Sequence, residues 1–136
     1  MDRNLQIIGL VKKAGLLAIG SEDTSSAARA GKTKLIISAR DASDNALRRA
    51  RNSAEVGRAL HIVVPYTSFE LGRVSGRGSP GTVAILDTGL AARFLRGMAE
   101  AEPELYSEAA EFLSQKAIAI KQRKNNNPSA KRRTVQ

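Results

Sequence analysis

Residues 16–42 read LLAIG-SEDTSSAARA-GKTK-LIISARDA. The first block is a short strand over Leu16–Ile19, closed by Gly20 and a polar turn. A helix of small residues follows over about Glu22–Ala30 and stops at Gly31. Lys34–Ala39 is the clearest strand of the chain. Its Leu35-Ile36-Ile37 run is continuously apolar, as in a strand covered on both faces. Ser21 or Asp23 is expected to cap the helix by accepting a backbone N–H. The helix start then presents amides and short polar side chains, a surface suited to phosphates and base edges. A capped strand–helix unit without any function fits the same letters.

Working outward, Leu5, Ile8, Val11 and Ala14 recur every three residues and predict a helix over 3–14. Lys12 and Lys13 sit at its end, where cations suit the helix dipole, and Gly15 stops it. Ser43 or Asp44 caps a third helix reaching about Arg58, with Ala46, Leu47, Ala50 and Ala54 as its buried stripe. Arg48, Arg49 and Arg51 lie off that stripe and read as a solvated face. Leu60–Val64 is another strand, ended by Pro65. Thr67-x-x-Glu70 is a capping box opening a short helix. That helix dissolves into Gly76-Arg77-Gly78-Ser79-Pro80-Gly81. Thr82–Leu86 is a strand, and Asp87 caps a helix carrying Leu90, Phe94, Leu95 and Met98.

Helices alternate with short apolar strands across brief connections. That order predicts an α/β fold, a three-layer α/β/α sandwich on a mixed, mostly four-stranded sheet. The compact domain is expected to span 1–99. A helical extension over 100–124 would place Leu105, Ala109, Phe112, Leu113, Ala117 and Ile120 on one side. Asn125-Asn126-Asn127-Pro128 would break it, leaving 125–136 as a disordered basic tail.

The chain has 136 residues, of which 42% are hydrophobic and 4% aromatic, so the core is aliphatic. No apolar run approaches the roughly 20 residues of a membrane span, and the first residues lack a signal-peptide pattern. A cytoplasmic protein without membrane contact is the expectation. With no cysteine and one histidine, disulfides and thiolate metal sites are excluded and little remains for a transition metal.

The net charge of +9 is unevenly spread. Residues 1–99 carry 15 bases against 8 acids, or +7. Residues 100–115 carry five acids and no base, and 116–136 carry seven bases and no acid. A basic domain with a basic end points to polyanions, most often nucleic acid.

The catalytic inventory is thin. His61 lies inside the apolar run Leu60-His61-Ile62-Val63-Val64 and reads as structural, with no partners for a Ser–His–Asp arrangement. Glu22 and Asp23 are adjacent but have no further convergent carboxylates, so capping and base contacts are the better reading. Gly76-Arg77-Gly78 follows a helix rather than a strand and lacks a third glycine, so it fails as a dinucleotide loop. As an exposed turn with free amides, it places the Arg77 fork where phosphate or guanine could be met. No cofactor and no metal are expected, and the chain reads as a non-enzyme.

Several motifs occur here in order: Ala14-Gly15-Leu16, Gly20-Ser21-Glu22-Asp23-Thr24, Gly31-Lys32-Thr33-Lys34-Leu35-Ile36-Ile37, Asp41-Ala42-Ser43 and Glu70-Leu71-Gly72-Arg73. Together they resemble the kink-turn-binding ribosomal-protein superfamily of the L-seven-Ae and L-thirty-e type, in particular its small bacterial YlxQ and YbxF branch. The resemblance covers about residues 3–98. It implies a sandwich that grips a sharply bent RNA internal loop, in a ribosomal or translational setting, from a monomeric protein. The helix start at Gly20, Ser21, Glu22 and Asp23 would read tandem sheared G·A pairs. The 76–81 loop would cover an extruded base. The implied RNA-binding set is Lys13, Gly20, Ser21, Glu22, Asp23, Ser26, Arg40, Arg77, Gly78, Ser79 and Pro80. Glu22 stands where archaeal and eukaryotic members carry asparagine, and Ile19 where they often carry lysine. Two other readings stay open. One is a protein-interaction module built on the C-terminal helix. The other is a stand-alone relative of the substrate-binding domain that precedes some RNA methyltransferase domains.

Overall fold

A computed structural model describes residues 2–126. Ten elements follow one another. They are α1 (Arg3–Lys13), β1 (Leu17–Ile19), α2 (Ser21–Arg29), β2 (Leu35–Ser38) and α3 (Asp44–Gly57), then β3 (Leu60–Val63), α4 (Ser68–Ser75), β4 (Thr82–Ile85), α5 (Thr88–Ala101) and α6 (Pro103–Asn126). The sheet order is β1-β4-β2-β3. β4 runs antiparallel to both neighbours, and β2 and β3 are parallel. The chain is therefore an α/β/α sandwich on a mixed four-stranded sheet.

Strand alternation sorts the side chains into two cores. Leu35, Ile37, Val83 and Ile85 face one way and join Ile8, Val11, Phe94, Leu95 and Met98 of α1 and α5 in the larger core. Ile36, Ala84 and Ala18 face the other way and meet Ala50 of α3, in a thin layer built from small residues. Every residue of the two central strands β2 and β4 is buried, which accounts for the unbroken apolar run of 35–37.

Local signals set the helix starts. Asp87 accepts from the Leu90 N–H at 2.9 Å. Ser43, rather than Asp44, caps α3 by accepting from Ala46 at 3.1 Å. Thr67 and Glu70 form the expected reciprocal box. The expected cap of α2 is corrected. Its N-cap is Gly20, at φ 92°, and neither Ser21 nor Asp23 accepts a capping hydrogen bond. A side chain at this positive φ would be strained, so the sharp exit from β1 needs glycine.

α6 lies against α5 and joins the larger core through Tyr106, Ala110 and Leu113. Its buried stripe is rotated from the expected one: Leu105 is 68% exposed and Phe112 49%. The Tyr106 hydroxyl reaches across to donate to the Val63 carbonyl of edge strand β3 at 2.7 Å. Glu104 in the first turn of α6 and Arg123 and Lys124 in its last turn match the helix dipole at both ends. The helix continues through Asn126, past the expected break at 125. The rest of the expected basic tail, 127–136, lies outside the described residues.

Candidate functional site

The sheet has a distinct upper end, where β1, β2 and β3 finish and β4 begins. Backbone hydrogen bonds lace this end together. Gly20 N–H donates to the Thr82 carbonyl at 2.8 Å, Ala39 N–H to Gly81 at 2.9 Å and Arg40 N–H to Tyr66 at 2.8 Å. The start of α2, the glycine-rich 76–81 loop and the Arg40–Asp41 turn therefore share one rim.

Two side chains bridge that rim. The Arg77 guanidinium donates to the Asp23 carboxylate, Nη1 to Oδ2, at 3.2 Å. This ion pair, the one found among the described residues, joins positions 54 apart in sequence. Both side chains are largely in solvent, at 65% and 56% exposure. A pair so exposed contributes about 0–1 kcal/mol and opens easily to a competing ligand. The first N–H groups of α2 carry no side-chain cap, so they too are open to an acceptor.

The loop is set by a close approach. A Cβ at Gly72 in α4 would run into the Gly78 carbonyl. Gly72 thereby lets the loop fold back over α4 and turn Arg77 toward Asp23. On the other side of the rim, Asp41 clasps the start of α4. Ser68 donates to it through its backbone N–H at 2.8 Å and through its hydroxyl at 3.1 Å. The Ser68 backbone N–H, first among the causes, holds the Asp41 carboxyl below its usual range.

The expected site residues divide by place. Gly20, Ser21, Glu22, Asp23, Arg40, Arg77, Gly78, Ser79 and Pro80 all belong to the upper rim or its loop. Ser26 is exposed further along α2. Lys13 is exposed in the last turn of α1, next to Lys12, whose ammonium lies against Gly76 at the start of the 76–81 loop. Asp41 and Ser68 were not among the expected residues. The Asp41-Ala42-Ser43 motif was visible, but nothing in the sequence marks a partner 27 residues away.

His61 stands apart from the rim's loop, on edge strand β3. Its Nε2 lies 2.8 Å from the hydroxyl of the fully buried Ser38 on β2. The apolar run around His61 gives no hint of this partner, which is set by the parallel pairing of β2 with β3. Burial, and secondarily the nearby Arg51 charge, lower the imidazole pKa. Among the described residues no group of three or more His, Asp or Glu could hold a metal ion, and no helix is long and apolar enough to cross a membrane.

A sandwich with a laced, polar rim is thus the class of architecture that the geometry defines. No protein-family model matches the chain. No curated protein matches it either. Solved structures do. A protein of unknown function from Bacillus halodurans superposes with a TM-score of 0.64 at 22% identity, covering 71% of this chain and 97% of that one. The Giardia lamblia 15.5kD RNA binding protein superposes with a TM-score of 0.55 at 16% identity, covering 73% of this chain and 84% of that one. At these identities the likeness is one of fold.

Proposed function

We propose that this chain is a non-catalytic RNA-binding protein that grips a kink-turn-like internal loop at the upper rim, in a ribosomal or translational setting. The observation that carries the reading is the Asp23–Arg77 contact, which joins the α2 start to the glycine-rich loop. The ordered motifs of the sequence, the net charge of +9 and the RNA-binding name of the Giardia neighbour support it. On this reading RNA opens the ion pair. Asp23 then accepts from guanine donors, and Arg77 turns to backbone or to the extruded base.

The test measures wild type, Asp23→Ala and Arg77→Ala against a kink-turn RNA, a version with its G·A pairs disrupted, and a plain duplex. Losing one base-edge contact is expected to cost about 1–3 kcal/mol. Asp23→Ala should narrow the gap between the first two RNAs, whereas a lost phosphate contact weakens all three alike. Equal binding of all three RNAs by wild type would end the kink-turn reading. A preference that survives Asp23→Ala would move the site elsewhere, to the Arg48–Arg51 face first.

The exposed Leu105 and Phe112 on α6 favour a second reading, a protein-interaction module. A protein that purifies free of nucleic acid and self-associates would support it.

A further inference from the structure

The opposite, lower end of the sheet carries a feature that the rim does not explain. Two adjoining hollows, of about 300 and 410 Å³, share Lys34, Thr88 and Ile120 and form one groove. Six bases line it: Lys34, Arg58, Lys116, Lys121, Arg123 and Lys124. They come from three places: the approach to β2, the C-cap of α3 and the second half of α6. The one carboxylate in the lining, Asp87, is already occupied in capping α5. Among the described residues none of the six bases has a carboxylate within ion-pair distance. The Lys116 ammonium sits over the Phe112 ring, 4.9 Å from its centroid; the other five cations have no such partner and repel one another, and a polyanion laid between them relieves that repulsion.

We infer that this groove is a second nucleic-acid-binding surface, which holds the phosphate backbone of an RNA duplex one sheet-length away from the rim. The concavity favours a strand of phosphates over a bilayer. Arg58, Lys116 and Arg123 line one hollow, Lys121 and Lys124 the other, and Lys34 both, so each concavity draws bases from the foot of the sheet and from α6. A flat membrane would meet only the outer bases of α6. The bases of α6 from Lys116 to Lys124 extend over about 12 Å at ~1.5 Å per residue, long enough to meet several successive phosphates of a duplex. The strands between the two ends are four residues or fewer, about 13 Å at ~3.3 Å per residue. A stem leaving the rim can therefore reach the groove. The inference rests on the RNA-binding reading but not on the kink-turn.

The experiment uses the full chain and the exposed triple variant Lys121→Gln/Arg123→Gln/Lys124→Gln. The probes are a kink-turn RNA with minimal stems and the same RNA with one stem extended by about two duplex turns. Affinity is measured against salt. Each neutralised phosphate contributes about 0.7–0.9 to the slope of log affinity on log salt. On the extended RNA the slope should fall by about 2 to 3 units in the variant. On the minimal RNA, and in the preference for intact over disrupted G·A pairs, nothing should change. An unchanged slope on the extended RNA overturns the groove assignment. So does a variant that keeps its RNA slope but stops sedimenting with vesicles of phosphatidylcholine and phosphatidylserine, which would assign the groove to membrane. A wild type with no kink-turn preference, but with the slope difference intact, would end the rim reading and leave this one standing. Absence of any RNA binding by wild type would end both.

Discussion

Replacing His61 by alanine removes the partner of a hydroxyl that water cannot reach. Ser38 is fully buried, and its oxygen meets the imidazole Nε2 at 2.8 Å. A buried polar group left unpaired costs about 1–3 kcal/mol. His61→Ala is therefore expected to lower the unfolding free energy from urea titration by that much while leaving RNA affinity unchanged. Any RNA or nucleotide turnover that vanished in this variant, with circular dichroism unaltered, would instead make His61 catalytic. The same residue sets the acid limb of stability. Its pKa is lowered from 6.5 in the folded chain, so the unfolded chain binds the proton more readily. Stability is then complete above about pH 6.5 and declines as pH falls below it toward the folded value. In His61→Ala this part of the decline should be missing from urea titrations at pH 7.5 and 5.5.

At the scale of elements, the 76–81 loop depends on a side chain that is not there. A Cβ at Gly72 would collide with the Gly78 carbonyl, so Gly72→Ala must push the loop off α4. Overpacking of this kind costs about 1–3 kcal/mol. The expected outcome is that loss in a denaturant titration, together with faster amide exchange confined to 76–81 and a weakened kink-turn preference. A variant with wild-type exchange there would show that the loop is held by something else. Elements read best from the sequence where their signals were local. Thr67 with Glu70, and Asp87 with Leu90, act over three residues, and both were legible. The strand at Leu35–Ile37 was legible because burial on both faces leaves an unbroken apolar run. The contacts that shape the rim act over 27 and 54 residues, and no local pattern encodes them. The adjacency of the α2 start and the 76–81 loop was expected only from family resemblance. The phase of α6 is hidden for another reason. Its first turns carry Leu105, Tyr106, Ala109, Ala110, Phe112 and Leu113, apolar on nearly every side, so periodicity gives no single face. The larger Leu105 and Phe112 read as buried. The structure seats Tyr106 instead, whose hydroxyl can reach the β3 carbonyl.

For the whole molecule, the alkaline limit of stability lies with a buried phenol. Tyr66 packs within the larger core beside Met98, and its pKa is pushed up to about 12, with burial the foremost cause. The ordinary value is 10.0, so the unfolded chain loses this proton first. Stability is present in full below about pH 10 and declines as pH rises through about 12. Urea midpoints at pH 9 and 11.5 should show that decline, and Tyr66→Phe should reduce it. A decline of equal size in the variant would assign it to other groups, Tyr106 among them, whose pKa burial also raises.

The bond from Tyr106 to Val63 has a consequence for how molecules behave in company. β3 ends the sheet on one side, and an uncovered terminal strand is a template on which another chain can hydrogen-bond. Here one of its carbonyls is taken by a phenol from the helix alongside, and that helix arrives late in the chain. Until α6 has been made and has docked, that carbonyl stays open to another chain. Tyr106 thus acts as a selvedge stitch, tying off one point of the woven edge where the fabric of one molecule could run on into the next.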